Sequence, residues 1–524
     1  MAKNAARRNN KKKTTPSYVV ELSLATNAAD ERELADRFLC GRRLLNALLQ
    51  DGLARVNAMR ADPKWQAARA MPKKTKPQRK ARQQAFTALR EAHDFDKYAF
   101  DGRAVAYKNA AGFASRIGSH ETQTIAKRVY KALNEYLIGL RGRPRSKSRQ
   151  RPLHSLEGKN NASCLRWDAE RGVLTVEKGF ELHVDLPANR LAKDEWLWTA
   201  LQTPTKYCRL VWRQVGGERR YFVQLVQKGK VPIKASLLTK LAAKDATGGL
   251  DLGPSTVAWI TSEAAGLEQL CSSVDRNEAE IRRLQRHIDR QRRASNPDNY
   301  KPDGTVRKGR KKWVTSKRQA MAEAKLTELH RHEAAVRRNE HGQLLNFLLS
   351  QARHWRHDGV SPRALQKQYG KSVSERAPGR LMSELTRKAE SAGGSCSVID
   401  VRTLKNSQYD HSTDSFTKKA LSERWHEFGD GRGRVQRDLY SAFLARNSEG
   451  DAYHSPTLET AWRDLASVLE QMGWYEPHES AITTRRGNLS PRARGDFAPR
   501  QSRSSAKPRS EQGDAAKAAT TAAV

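Results

Sequence analysis

Cysteine is scarce in this sequence and badly placed for any framework. The five (Cys40, Cys164, Cys208, Cys271 and Cys396) are isolated and odd in number. That excludes a disulfide scaffold and a C-x-x-C metal knuckle, and it fits a reducing, cytoplasmic setting. Long apolar runs are missing too. None approaches the roughly 18 residues of a spanning helix, so no membrane partner is expected. The basic start lacks the apolar segment of a secretory signal. Acid is in short supply: 57 Asp and Glu stand against 97 Lys and Arg, a formal net charge of +40. Such an excess is a statement about partners, not about fold. The obvious polyanion is nucleic acid, whose backbone attracts clustered Lys and Arg through counterion release.

What is present reads as several domains, since 524 residues are too many for one ordinary core. Residues 1–16 form a basic tail with 11-KKK-13 and are expected to be disordered. The stretch 18-YVVELSL-24 is β-like. Over residues 29–140, Leu34, Phe38, Leu45, Leu48 and Leu49 recur at helical spacing, and 120-HETQTIAKRVYKALNEYLIGL-140 is a further helix. The very basic 73-KKTKPQRKARQQ-84 interrupts or extends these helices. The composition then breaks at 141-RGRPRSKSRQRP-152, where Arg141, Arg143, Arg145, Lys147, Arg149 and Arg151 read as a linker lying on phosphates.

A β-rich block follows. Residues 165–187 alternate, and Gly216-Gly217 separates two β-prone runs as a hairpin turn. Segments 17–28 and 141–235 are expected to make one small β-barrel, with the helical lobe inserted in it. Beyond residue 245 the chain reads as mixed α/β, interrupted over 274–350 by a long basic helical hairpin. Its faces carry Ile281, Leu284 and Ile288, and Leu326, Leu329 and Val336. Between them lie Arg307, Lys308, Arg310, Lys311 and Lys312, a second candidate nucleic-acid contact. The run 331-RHEAAVRR-338 lacks the second His of a zinc H-E-x-x-H pattern. A strand is expected at 397–403, and helices at 437–447 and 457–473. The Arg-, Ser- and Pro-rich residues 484–524 make a second basic tail, expected to be disordered.

One detail poses a chemical question. In 248-GGLDLGPSTVAWI-260, Asp251 sits between two leucines on a predicted strand. Strand alternation sends Leu250 and Leu252 one way and Asp251 the other. On an edge strand that acid faces water. On a central strand it needs water, a base or a metal, because an unpaired carboxylate is costly to bury.

Three segments taken in order bear on the answer. They are 250-LDLGPSTVAWI-260, residues 358–394 with 376-RAPG-379, and residues 421–446 with 437-RDLYSAF-443. Together they resemble the RuvC-like nuclease half of the TnpB (OrfB) proteins of insertion sequences and of the related compact type V CRISPR effectors. The resemblance covers about residues 245–447. Before it, the order of short strand, helical lobe, basic linker and β-block looks like the wedge and recognition domains of that family. The resemblance implies a multidomain α/β chain. An RNase H-like (RuvC) domain would span 245–406 and 432–483, beside a β-barrel wedge with an inserted α-helical recognition lobe. It implies three catalytic acids. Asp251 and Asp438 take the first and third positions, and Asp358 takes the second, where the family usually has Glu. Glu375 is the alternative for that position. Such acids would bind two Mg²⁺ ions, which phosphodiester hydrolysis uses at about 3.5–4 Å separation.

The chain also departs from the family between the second and third acids. Residues 407–431 stand where the family has a zinc ribbon with two Cys pairs, yet they contain no cysteine. Asp410, His411, Asp414, His426 and Asp430 are oxygen and nitrogen donors there, but structural zinc prefers Cys and His. A metal-free loop, a degenerate ribbon or target-strand loading region, is therefore expected, without zinc. Function stays open among three readings. The first is an RNA-guided, Mg²⁺-dependent DNA endonuclease that cuts double-stranded target DNA beside a short flanking motif. The second is an RNA-guided DNA binder that silences transcription with weak or no cleavage. The third is a basic RNA-binding protein without DNA function. Guide RNA is the expected partner in the first two, in a prokaryotic, nucleoid-associated setting, with the chain a monomer or dimer.

Overall fold

A computed structural model describes residues 15–148, 151–186, 194–233, 246–309, 311–359, 362–420, 422–448 and 452–478. Most of the tail at 1–16, all of that at 484–524, and Arg149 and Arg310 lie outside the described residues. The architecture is mixed α/β and multidomain. Among the described residues no helix is long and apolar enough to cross a membrane.

Strand β1 (Ser17–Ser23) opens the chain and buries Tyr18, Val20 and Leu22 on one face. The helices follow: α1 (Ala28–Ala61), α2 (Pro63–Ala70), α3 (Lys76–Ala92), α4 (Lys97–Ala110) and α5 (Ser119–Leu137). Asn27 and Asp30 close a capping box at the start of α1, which satisfies amides the helix cannot. Thr75 and Gln78 do the same for α3, so the basic run at 73–84 begins in the break after α2 and then builds a new helix. Gly52 of α1 lies against Leu133 and Phe100, bringing α1, α4 and α5 close. A buried ion pair, Arg37 Nε to Glu121 Oε1 at 3.0 Å, ties α1 to α5.

Among the described residues, seven strands build this half. They are β1, β2 (Ser155–Glu157), β3 (Arg166–Asp168), β4 (Val173–Val176), β5 (Phe180–His183), β6 (Thr205–Val215) and β7 (Glu218–Lys228). The β6–β7 turn is Gly216-Gly217, with φ of 62° and 87°. Two successive positive φ values suit the right-handed twist of a tight hairpin, and only glycine adopts them cheaply. The strands do not run as one continuous ladder. They form an antiparallel sheet ordered β1-β7-β6-β2 and a separate three-stranded sheet β3-β4-β5. A bridge from Leu24 to Val184 joins them. Helix α6 (Glu195–Leu201) caps the block, and strands and helices share one apolar core.

The second half centres on a five-stranded mixed sheet. Its members are β8 (Thr247–Leu252), β9 (Thr256–Ile260), β10 (Ala265–Gln269), β11 (His354–Asp358) and β12 (Ser395–Ile399). The order is β10-β9-β8-β11-β12. Strands β8, β11 and β12 run parallel, and β9 runs against its two neighbours. Helices α7 (Glu278–Ala294) and α8 (Lys317–Gln351) make the long arm between β10 and β11. Then come α9 (Pro362–Arg376), α10 (Pro378–Ser391), the short α11 (Val401–Leu404), α12 (Arg437–Asn447) and α13 (Ser455–Gln471). The sheet is covered on both faces. Leu250, Leu252 and Trp259 join a core with Leu345, Leu348 and Leu385. Ala258 and Ile260 join another with Leu439, Phe443 and Trp462.

The segment at 407–431 is not the loop expected of it. It carries β13 (Tyr409–Asp410), β14 (Ser415–Phe416) and β15 (Trp425–Glu427). Strand β15 pairs with β16 (Gly433–Gln436), which pairs with β17 (Tyr475–Pro477). Aromatic packing supplies the order here. Phe428 meets Tyr440, Trp462 and Tyr475 at ring-centroid distances of 5.4, 5.0 and 6.3 Å.

Candidate active site

Strand β8 is central, so the carboxylate of Asp251 does not have an edge strand's easy access to water. Leu250 and Leu252 are buried in one core, at 1% and 6% exposure, and Asp251 is half-buried on the opposite face. Gly249 shares that face two residues earlier. A Cβ there would lie 2.7 Å from the Arg446 backbone nitrogen, so only glycine admits α12 this close to β8. Gly248 serves the other face in the same way, where the Trp355 ring lies against it.

Asp358 ends β11, the parallel neighbour of β8. His357 is in register with Leu250, which places Asp358 beside Asp251. Asp358 is 9% exposed, and its Oδ1 is buried with no hydrogen-bond partner. Asp438 comes from the far side of the cleft, in the first turn of α12, where the helix dipole favours an acid. The Gln436 side chain accepts from the Leu439 amide at 2.7 Å and caps that turn. Arg437 stands next to Asp438, its Nε 3.7 Å from Oδ1, and its Nη1 donates to the Ala420 carbonyl at 3.0 Å.

These groups share one field. Burial pushes the Asp251 carboxyl well above the usual range, and the negative charges of Asp358 and Asp438 push it further. Arg437 and the Leu252 amide oppose that shift. Burial raises Asp358 to about 7, against backbone amide contacts that favour its anion. Two carboxylates on adjacent strands, one buried and one half-buried, cannot both ionise cheaply without a cation. Among the described residues, no three His, Cys, Asp or Glu side chains already stand as a metal cage. The donor set nevertheless suits a hard divalent cation: carboxylate oxygens, one of them buried and unpartnered.

Glu375 lies elsewhere. It sits near the end of α9, 3.7 Å from the Arg376 guanidinium, with its carbonyl accepting from Arg337 at 2.6 Å.

The five donors of 407–431 mostly meet protein neighbours, although Nε2 of His411 and Nε2 of His426 are buried without a hydrogen-bond partner. Asp410 accepts from the Ser412 amide and hydroxyl and from the Gly429 amide, and His426 Nε2 lies 3.7 Å away. Tyr440 takes His411 Nδ1 at 2.7 Å. Asp414 accepts from the Tyr409 hydroxyl, and Asp430 from Arg432.

Two basic clusters flank the fold. In the linker, Asn46 grips both backbone groups of Lys147, at 2.8 Å each. Arg143, Arg145 and Arg151 are left exposed, while Arg141 reaches Glu135 at 3.4 Å. At the arm's tip, Arg307 donates to the Tyr300 carbonyl and Lys311 to the Gly309 carbonyl. Lys308 and Lys312 are exposed there, and Arg292 lies 4.0 Å over the Trp313 ring. The sequence alone assigned no role to Arg437 or Gly249. Their only signals were adjacency to Asp438 and the pairing of two glycines on one strand.

No protein-family model matches the sequence, and no curated protein is similar to it. Solved structures do align with the fold. One is titled a Cas12f1-sgRNA-target DNA complex, at TM-score 0.41 and 10% identity, covering 83% of this chain and 99% of that one. A CRISPR-Cas12f ternary complex aligns at TM-score 0.26 and 10% identity, over 83% and 100%. A Cas12i complex with crRNA and double-stranded DNA aligns at TM-score 0.26 and 8% identity, over 86% of this chain and 65% of that one. The superpositions are loose.

Proposed function

We propose that the protein is an RNA-guided DNA-binding protein with one RuvC-like nuclease site, made by Asp251, Asp358 and Asp438. The observation that carries this reading is the pair of adjacent strand-end acids facing a helix-borne third, with Asp358 Oδ1 buried and unpartnered. Mg²⁺ held there would stabilise the attacking and leaving oxygens of phosphodiester hydrolysis. The chain's own part is positional. Strands β8 and β11 fix Asp251 and Asp358 side by side, and the cap at Gln436 fixes the turn that bears Asp438. Arg437 brings a positive charge to the rim, where a phosphate would sit. The net charge of +40 and the exposed Arg143, Arg145, Arg151, Lys308 and Lys312 support RNA as a standing partner, held through its backbone. The wedge and recognition roles proposed for the β-block and helical lobe rest on the same reading.

A second reading has its own observation. Asp358 is one methylene shorter than the Glu usual in the resembling family. A guided binder that cuts weakly fits that. Purified protein with its co-purified RNA, given a DNA library matching that RNA, separates the readings. Mg²⁺-dependent cuts support the nuclease. Guided, salt-sensitive binding without cuts supports the silencer. RNA binding without any guided DNA binding overturns both.

A further inference from the structure

The helical lobe carries a half-open cavity of about 860 Å³, within the roughly 300–1,000 Å³ of small-ligand clefts. It lies between α2 and α3 and the C-terminal ends of α1 and α5. Its lining includes Arg60, Arg69, Lys73, Arg79, Arg82 and Arg90, and no Asp or Glu. None of these six forms an ion pair among the described residues. Other guanidinium groups of the lobe are neutralised: Arg55 and Arg103 both meet Asp51, at 3.1 and 3.0 Å. Arg90 Nε is buried with no hydrogen-bond partner.

The floor of the cavity is aromatic. Trp65 and Phe86 meet edge to face, with ring centroids 5.0 Å apart. Arg82 lies 5.3 Å from the Phe86 centroid and is held there by its Nε donating to the Ala68 carbonyl at 3.1 Å. Arg60 covers the Tyr136 ring at 4.4 Å and donates to that residue's hydroxyl and carbonyl. Two amide side chains, Gln66 and Gln83, complete the wall.

Six unneutralised cations round one hollow repel each other, and an anion relieves them. Inorganic phosphate would answer the charge and leave the aromatic floor unused. An apolar ligand would do the reverse. A nucleotide answers both: its phosphates meet guanidinium groups, and its base offers a π-face to Phe86 and Trp65. A base in a duplex is stacked and paired and cannot enter. We propose that this cavity holds one unstacked nucleotide of a single strand, its ring against Phe86 and Trp65 and its flanking phosphates on Arg69, Lys73 and Arg79. The proposal goes beyond the nuclease reading and needs none of the three acids.

The test uses full-length protein stripped of nucleic acid at high salt and shown by circular dichroism to remain folded. The probes are a 5′-phosphorylated ten-residue oligouridine with one 4-thiouridine, and its deoxy counterpart with 4-thiothymidine. Photocrosslinks mapped by mass spectrometry should fall on Trp65 or Phe86. An unlabelled single strand should compete them away, and a duplex of equal length should not. Phe86→Leu keeps an apolar filler and should weaken binding about tenfold. Arg69→Glu with Arg79→Glu, both exposed positions, should remove the crosslink. It should also lower the salt slope by about 0.7 for each phosphate no longer neutralised, with an unchanged melting curve. A preference for the ribo-probe assigns the nucleotide to RNA, and equal affinity to any single strand; either supports the site. Crosslinks confined to the 141–152 linker or the arm, or affinity unchanged in Phe86→Leu, overturn it. Loss of DNA cleavage has no bearing on any of these readouts.

Discussion

Gly249 of β8 and Ala442 of α12 touch through their backbones. A Cβ on Gly249 would press into the Ala442 carbonyl oxygen, and it would stand 2.7 Å from the Arg446 nitrogen. Backbone atoms cannot swing aside as a side-chain tip can. Gly249→Ala should therefore push α12 outward or cost about 1–3 kcal/mol in overpacking. Asp438 rides on the first turn of that helix. A displacement near 1 Å costs about 10²-fold in positioning, so cleavage should fall far more than guided DNA binding. Thermal unfolding with a cleavage assay checks this. Cleavage and melting both at wild-type level would show that the helix does not depend on this contact.

Asp358 should make stability depend on pH and on divalent cation together. Its ordinary value of 3.8 is raised to about 7 by burial. Between those values the folded protein holds a proton that the unfolded chain has released, so this group's stabilisation is present at low pH and lost as pH rises through about 7. A cation that binds the carboxylate should restore it. Mg²⁺ should thus raise the melting temperature at pH 8 and have little effect at pH 5. Asp358→Asn should melt higher than wild type at pH 8 without Mg²⁺, and should respond little to Mg²⁺. An equal Mg²⁺ response in the variant would place the ion elsewhere.

Some of the local geometry was legible because its signals are local, while Asp358 and Asp438 entered as candidates only through resemblance. Alternation alone put Asp251 opposite Leu250 and Leu252, and Gly216-Gly217 announced the hairpin. The partners of those residues were not legible. That β8 is central rather than an edge follows from β11 and β12 joining it across a hundred residues or more, and spacing within one strand carries no such information. The 407–431 segment misled for a related reason. The absence of cysteine removed the one short-range sign of order, while Phe428, Tyr440, Trp462 and Tyr475 supply it from three separate elements. The aromatic cavity was equally hidden: 73–84 read as a basic run, and the floor comes from Phe86, just beyond it, meeting Trp65.

The ribbon position should behave as an acid-sensitive core. Burial, aided by Arg432, lowers His411 from 6.5 to about 4, and burial lowers His426 as well. His411 is neutral in the folded protein near pH 6. As pH falls from about 6.5 towards 4, the unfolded chain takes up protons that the folded one refuses, and stability is lost. His411→Gln keeps a neutral polar group. It should destabilise at pH 7.5 by about 1 kcal/mol through the missing Tyr440 hydrogen bond, and by less at pH 5. Denaturant titrations at the two pH values give the difference. A penalty that grows at pH 5 would mean that His411 is charged in the fold.

The three acids give the final prediction. Asp251→Asn and Asp438→Asn should each abolish cleavage and leave guided DNA binding within about twofold, since each removes a charged oxygen from the cation's field and neither touches the basic clusters. Asp358→Glu is the discriminating change. The added methylene reaches roughly 1.5 Å further into a space where Oδ1 is buried without a partner. If that space belongs to a cation held too loosely, Glu should raise cleavage or lower the Mg²⁺ concentration needed for it. If β8 and β11 have closed to suit Asp, Glu will crowd the Asp251 carboxylate and both cleavage and melting temperature will drop. Cleavage unchanged in both Asp358→Asn and Asp358→Glu would remove this residue from the site. Guided binding abolished in all of the Asn variants would make these acids props of the fold, and the nuclease proposal would fail with them.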